Sequence, residues 1–171
     1  DRAIDLMLGE RVASLDPEAH SVRTAADRTI SYGKLIWAGG GAARPLSCPG
    51  ASASGVMAVR TRADADRLVE VLPGSDRFVI IGGGYIGLEA AAVLRKFGKQ
   101  VTLLEAQDRL LARVAGPELS AFFAAEHSAH GVDLRFDTVA QAIETDAEDR
   151  ATGVRLANGD IVPADAVIVG I

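Results

Sequence analysis

Phe78-Val79-Ile80-Ile81-Gly82-Gly83-Gly84-Tyr85-Ile86-Gly87-Leu88-Glu89 opens the stretch that decides the fold, and it runs on to Val101-Thr102-Leu103-Leu104-Glu105. The apolar, β-branched run before the glycines reads as a buried strand. Gly82, Gly84 and Gly87 fit the G-x-G-x-x-G spacing of a dinucleotide-binding turn. In that spacing the first glycine permits the tight turn, and the second lets the backbone approach a pyrophosphate. The third lets helix and strand pack closely. Leu88, Ala91 and Ala92, followed by Arg95 and Lys96, suit a helix with a basic last turn, and Gly98 stops it. The unpaired amides at the start of that helix, at the positive end of its dipole, are where a pyrophosphate would sit.

Glu105 ends the next apolar run, roughly twenty residues past the glycines, where an acid accepts hydrogen bonds from the adenosine ribose hydroxyls. A carboxylate there repels a 2′-phosphate, so NAD(H) is expected rather than NADP(H). Arg109 and Arg113 follow the acid, and a phosphate-binding role for either stays open.

The remaining sequence bounds the problem. The 171 residues are 49% hydrophobic and 24% charged, as expected for a globular chain with a sizeable core. A net charge of −5 without a basic stripe argues against nucleic acid as partner. Cys48 is the sole cysteine, so no disulfide forms within the chain and no C-x-x-C ligand pair exists. The lone cysteine fits a cytoplasmic setting, no apolar stretch is long enough to span a bilayer, and no secretion signal is visible, so no membrane is expected. The chain opens with Asp1 rather than Met and ends on Val169-Gly170-Ile171 in mid-strand, and is therefore read as a piece of something longer.

Taken in order, Ile4 to Leu8 reads as a short strand and Arg11 to Leu15 as a second. Ser21 to Thr24 pairs with Thr29 to Ser31 in an antiparallel meander. Leu35-Ile36-Trp37-Ala38 reads as a buried strand, with Trp37 in the core, leading into Gly39-Gly40-Gly41. The Pro-, Ser- and Gly-rich run from Ala42 to Gly55 is the candidate linker. Thr61 and Asp64 form a capping box before a helix whose apolar face is Ala65, Leu68, Val69 and Leu72. Gly116-Pro117 starts another helix, with Phe122 and Phe123 in the core. Asp133 to Phe136 is the next strand. Val139 to Thr145, Ala151 to Leu156 and Ile161-Val162 form a second meander, turned by a two-residue Asn158-Gly159 loop. Ala166 to Gly170 returns to the parallel sheet. His127 and His130 share a helix without a third ligand nearby and are read as structural, and Cys48 as a bystander. The expected fold class is α/β: a Rossmann-like nucleotide domain with an antiparallel β-meander inserted before its last strand. The tail of a similar domain precedes it.

These residues carry a resemblance. The stretches Ile80 to Glu89, Leu104 to Val114, His127 to Leu134 and Pro163-Ala164-Asp165 resemble the pyridine nucleotide–disulfide oxidoreductase superfamily. Within it they are most similar to the NADH-dependent ferredoxin and rubredoxin reductases of bacterial oxygenase systems. The resemblance covers the whole chain and implies residues 1–44 as a partial FAD-binding domain and 45–171 as the NAD(H)-binding domain. It implies hydride transfer from NADH to FAD, then single electrons to a ferredoxin- or rubredoxin-type acceptor. Tyr85 and Ile86 would line the nicotinamide pocket and Glu89 would hold the carboxamide. Glu105 and Arg113 would meet the adenosine half, and Gly170 and Ile171 the nicotinamide ribose. Val12, Arg60, Ala38 and Gly40 would contact FAD. Gly39 departs from the family pattern, standing where threonine is usual. No catalytic acid or base is implied in this segment. The competing readings are another NADH-dependent flavoenzyme (a disulfide reductase or NADH oxidase) and a non-catalytic dinucleotide-binding module.

Overall fold

The computed structural model describes residues 4–171, and the chain forms two compact units, Asp1–Gly41 and Ala42–Ile171. The first unit carries one antiparallel sheet of β1 (Val12–Asp16), β2 (Ser21–Thr24) and β3 (Thr29–Ser31) in that order. Pairings such as Leu15 with Val22 and Val22 with Ile30 put Val22 at its buried centre.

Two expected strands of this unit are absent. Residues 4–8 and 35–38 form no ladder with any described strand, and a backbone without a partner has no reason to stay extended. Their side chains follow suit: Ile4, Leu6, Leu8 and Ile36 are exposed, and Trp37 is 64% exposed rather than core.

The second unit is layered around β4 (Val56–Ala58), α1 (Arg62–Val71), β5 (Arg77–Ile81), α2 (Tyr85–Lys96), β6 (Gln100–Leu104), α3 (Pro117–Ala129) and β7 (Val132–Arg135). A meander of β8 (Ala140–Thr145), β9 (Ala151–Leu156) and β10 (Ile161–Pro163) follows, and β11 (Ala166–Val169) closes the chain. The parallel sheet has the order β4-β11-β5-β6-β7, and the antiparallel meander has the order β10-β9-β8. Short β4 was not foreseen, because three residues beside a linker carry no period of their own.

Strand periodicity sorts β5 between two cores. Phe78 and Ile80 point toward the helices, packing with Leu88, Ala91 and Leu94 of α2. Val79 and Ile81 point the other way, toward Val154, Leu156 and Val162 of the meander. Burial on both faces is why β11 and β5 beyond Arg77 read as unbroken apolar runs, interrupted in β6 only at half-buried Thr102 after its exposed first residue.

Thr61 caps α1 through a reciprocal box with Asp64. The buried face of that helix differs from expectation: Leu68, Val71 and Leu72 pack on the core, while Ala65 and Val69 face solvent. In α3, Phe123 packs inward but Phe122 is exposed, because adjacent helical positions lie about 100° apart and only one of the pair can face the sheet. The strand expected from Asp133 begins one residue earlier, at Val132.

The β9–β10 turn also differs from expectation. The Leu156 N–H donates to Asp160 O (2.8 Å) and the Gly159 N–H to Leu156 O (3.0 Å), which makes a three-residue loop. Gly159, at φ +93°, takes the left-handed position that such loops require.

Candidate functional site

The end of β5, the start of α2 and the end of β6 converge on a cavity of about 970 Å³ in the second unit. Each glycine of the turn has a different physical job. Gly82 sits at φ +111°, and a Cβ there would lie 2.6 Å from Gly170 O. A Cβ on Gly87 would run into the Gly82 carbonyl, so this glycine lets α2 lie against the strand end. Gly84 is unlike both: a Cβ there meets only Gly170 O, at 3.8 Å. Its side-chain space is left open toward the cavity.

Gly84 is the N-cap of α2, and no side chain caps that terminus. The first-turn amides of a helix have no intrahelical partner and carry the positive end of the dipole. Tyr85 and Ile86, both exposed, form the cavity wall beside them.

Glu105 closes the other side. Its Oε2 accepts from the Gly83 N–H at 2.6 Å and its Oε1 from the Gln107 N–H at 2.8 Å. An ionised carboxylate offers about four acceptor positions, so both oxygens keep capacity for ligand hydroxyls. Arg113 also lines the cavity, exposed, with no hydrogen bond or ion pair to any described residue. Gly170 donates to Ile81 O at 2.8 Å, and with Ile171 it forms the rim beyond β11.

The two arginines left open by the sequence separate here. Arg109 is half-buried and fully engaged with Ala112 O, Ala115 O and Ser120 Oγ, whereas Arg113 is free. Glu89 lies one helical turn past Tyr85, exposed and without a partner among the described residues, outside the cavity lining.

The residues fit a dinucleotide. An uncapped helix start, a glycine whose Cβ space is open and a carboxylate on the neighbouring strand are the donor set for a diphosphate and a ribose diol. The positions expected to meet flavin are spread differently. Val12 belongs to β1, and Ala38 and Gly40 to an exposed segment of the first unit. Arg60 precedes α1 in the second unit, its amide donating to Asp64 at 3.0 Å.

A model of the pyridine nucleotide-disulphide oxidoreductase family matches residues 1–171. The chain belongs to this family. Over its whole length it is 67% identical to the 5,5'-dehydrodivanillate O-demethylase ferredoxin reductase subunit of Sphingobium sp. (strain NBRC 103272 / SYK-6), covering 42% of that protein. It is 53% identical to a ferredoxin–NAD(P)(+) reductase of Sphingomonas sp., covering 41% of it. The ferredoxin reductase for the CYP199A2 system of Rhodopseudomonas palustris superposes with a TM-score of 0.90 at 37% identity, over 95% of this chain and 40% of that one. The chain thus spans about two fifths of the length of the curated relatives it matches.

Within this family member, sequence reasoning did not foresee three of the contacts around the cavity, although it had named Arg109. The Gly83 amide was hidden because backbone donors leave no residue signature. Arg109 and Ser120 were undervalued because their partners are carbonyls brought together only by the fold. Ser120, a buried hydroxyl on an otherwise apolar face of α3, was the available clue. A second cavity of about 470 Å³, lined by residues including Arg95, Phe123, His127 and His130, lies where α2 meets α3. Burial holds the His127 imidazole below its ordinary pKa, and no group of three metal-ligating side chains exists among the described residues.

Proposed function

We propose that this chain is the NADH-binding portion of a cytoplasmic flavoprotein reductase. It would draw electrons from NADH through FAD and hand them to a ferredoxin- or rubredoxin-type protein. The Glu105 carboxylate, hydrogen-bonded to the Gly83 amide and facing the cavity, is the observation that carries this reading. Two relatives named as ferredoxin reductases support the pairing of a pyridine nucleotide with a ferredoxin-type partner.

When bound, the nicotinamide and flavin rings supply the hydride and one-electron chemistry, and the protein supplies position and electrostatics. Gly84 and the first turn of α2 cradle the diphosphate. Glu105 accepts from the adenosine ribose hydroxyls and repels a 2′-phosphate, selecting NADH over NADPH. Arg113 lies against the adenosine half and offsets the cofactor's charge. Tyr85 and Ile86 would wall the nicotinamide pocket and Gly170 and Ile171 would border the adjoining ribose, while Glu89, outside the cavity lining one helical turn beyond Tyr85, would accept from a carboxamide that reaches past it. Val12, Ala38 and Gly40 of the first unit and, separately, Arg60 of the second would be positions that meet flavin.

Anaerobic titration of the full-length protein with NADH and NADPH tests the reading. Glu105→Arg is expected to weaken NADH about tenfold and to narrow or reverse the preference over NADPH. An unchanged preference would sink the assignment. Cytochrome c reduction that requires added ferredoxin is the expected steady-state behaviour, and equal rates without ferredoxin would count against the acceptor class.

A further inference from the structure

Between β6 and α3 the chain makes a loop whose conformation is costly by itself. Leu111 is buried yet sits at φ +53°, a left-handed backbone that a branched side chain adopts only when its surroundings enforce it. Three sets of contacts supply the enforcement. The Leu111 N–H donates to Gly83 O at 3.0 Å, tying the loop to the glycine turn. Val114 and Ala115 both donate to Leu111 O at 2.9 Å, closing a turn around Ala112 and Arg113. The fork of Arg109 then spans that turn, with Nη1 on Ala115 O (2.8 Å) and Nη2 on Ala112 O (3.0 Å). These two carbonyls flank Arg113 and Val114 in the chain.

Ser120 completes the clamp. Its hydroxyl accepts from Arg109 Nη1 at 2.9 Å and donates to Leu110 O at 2.6 Å, anchoring the loop to α3. Arg109 makes no ion pair with a described carboxylate, so its charge is directed at carbonyls, with a planar fork that a lysine cannot reproduce. The neighbouring guanidinium of Arg113 is correspondingly left free on the cavity wall.

We propose that Arg109, with Ser120, is a positioning residue that acts through Arg113: its fork holds the 110–116 loop so that Arg113 is presented to the adenosine half of NADH. This rests on the nucleotide-site reading above. An ordered loop lets Arg113 meet the ligand without the entropy cost of fixing a mobile segment on binding.

Calorimetric titration of the full-length protein with ADP-ribose and NADH provides the test, on Arg113→Met, Arg109→Met, Arg109→Lys, Ser120→Ala and the Arg109→Met/Arg113→Met pair. Arg113→Met is expected to raise Kd about tenfold, and Arg109→Met about five- to tenfold. The double variant should bind no more weakly than Arg113→Met alone, a coupling that a merely structural role for Arg109 would not produce. A thermal melt on each variant separates folding from binding, and Arg109→Lys supplies the same reading if Arg109→Met does not fold. An unchanged Kd in the Arg109 variants would overturn the proposal, as would independent multiplication of the two effects. If the wild-type protein failed to bind ADP-ribose, the nucleotide-site reading itself would fall. Binding that is indifferent to Arg109 would sink only the positioning role.

Discussion

At the scale of single residues, the glycine turn separates open cavity space from tight packing within six positions of chain. Gly84 has an ordinary φ of −82° and an open Cβ direction, so a side chain there costs the fold little and fills the cavity instead. Gly87 has no such room, because its Cβ direction is occupied by the Gly82 carbonyl. Gly84→Val is therefore expected to abolish ADP-ribose binding while changing stability by under about 1 kcal/mol, the scale of an N-cap substitution. Gly87→Ala is expected to cost about 2–3 kcal/mol by overpacking. Chemical denaturation and calorimetric titration of both variants check the pair. Binding retained in Gly84→Val would mean the turn does not hold the diphosphate. The three glycines look alike as letters, and only the backbone geometry tells the two that packing demands from the one whose side-chain direction is open.

Among elements, legibility followed burial on two faces. The β5–α2–β6 unit was readable because parallel strands covered on both sides leave unbroken apolar runs, punctuated by the glycines that end them. Leu35 to Ala38 has the same apolar character and yet forms no strand, since composition cannot reveal whether a partner ladder exists. The inward face of α1 was read only in part: Leu68 and Leu72 pack on the core as expected, but Val71 takes the place beside them that Ala65 and Val69 were given.

The Pro163-Ala164-Asp165 stretch, noticed only as a resemblance, proves to be a clamp between β10–β11 and β5. Asp165 Oδ2 accepts from the amides of Asp76 (3.0 Å) and Arg77 (2.9 Å), and Oδ1 pairs with Arg77 Nη2 at 2.6 Å. The Arg77 guanidinium and these amides hold the Asp165 carboxyl below its ordinary 3.8, at about 2. A depressed folded-state pKa means the clamp stabilises fully above the unfolded value and is lost as acid carries the solution from about 4 down through 2. Asp165→Asn is expected to lose about 1–2 kcal/mol at neutral pH. The gap from wild type should close toward the bottom of that window. A gap constant across the window, measured by urea unfolding, would show that the carboxylate charge is not what holds β5 to β11.

At the scale of the whole molecule, the two units differ in what they can do unaided. Among the described residues, Val22 is the one buried hydrophobic side chain of the first unit, while both apolar clusters lie in the second. A segment of about forty residues with so little buried surface cannot offset its chain entropy. The Ala42–Ile171 unit, by contrast, contains all five described strands of the parallel sheet, its helices, its meander and every residue lining the larger cavity. Expressed separately, residues 42–171 are expected to unfold in one cooperative transition and to bind ADP-ribose within about twofold of the full chain. Residues 1–41 alone are expected to show no cooperative transition. Calorimetric melting and titration of the two pieces decide the matter. If 42–171 melted without cooperativity, or lost its nucleotide affinity, the first unit would have to be supplying part of the core or of the site.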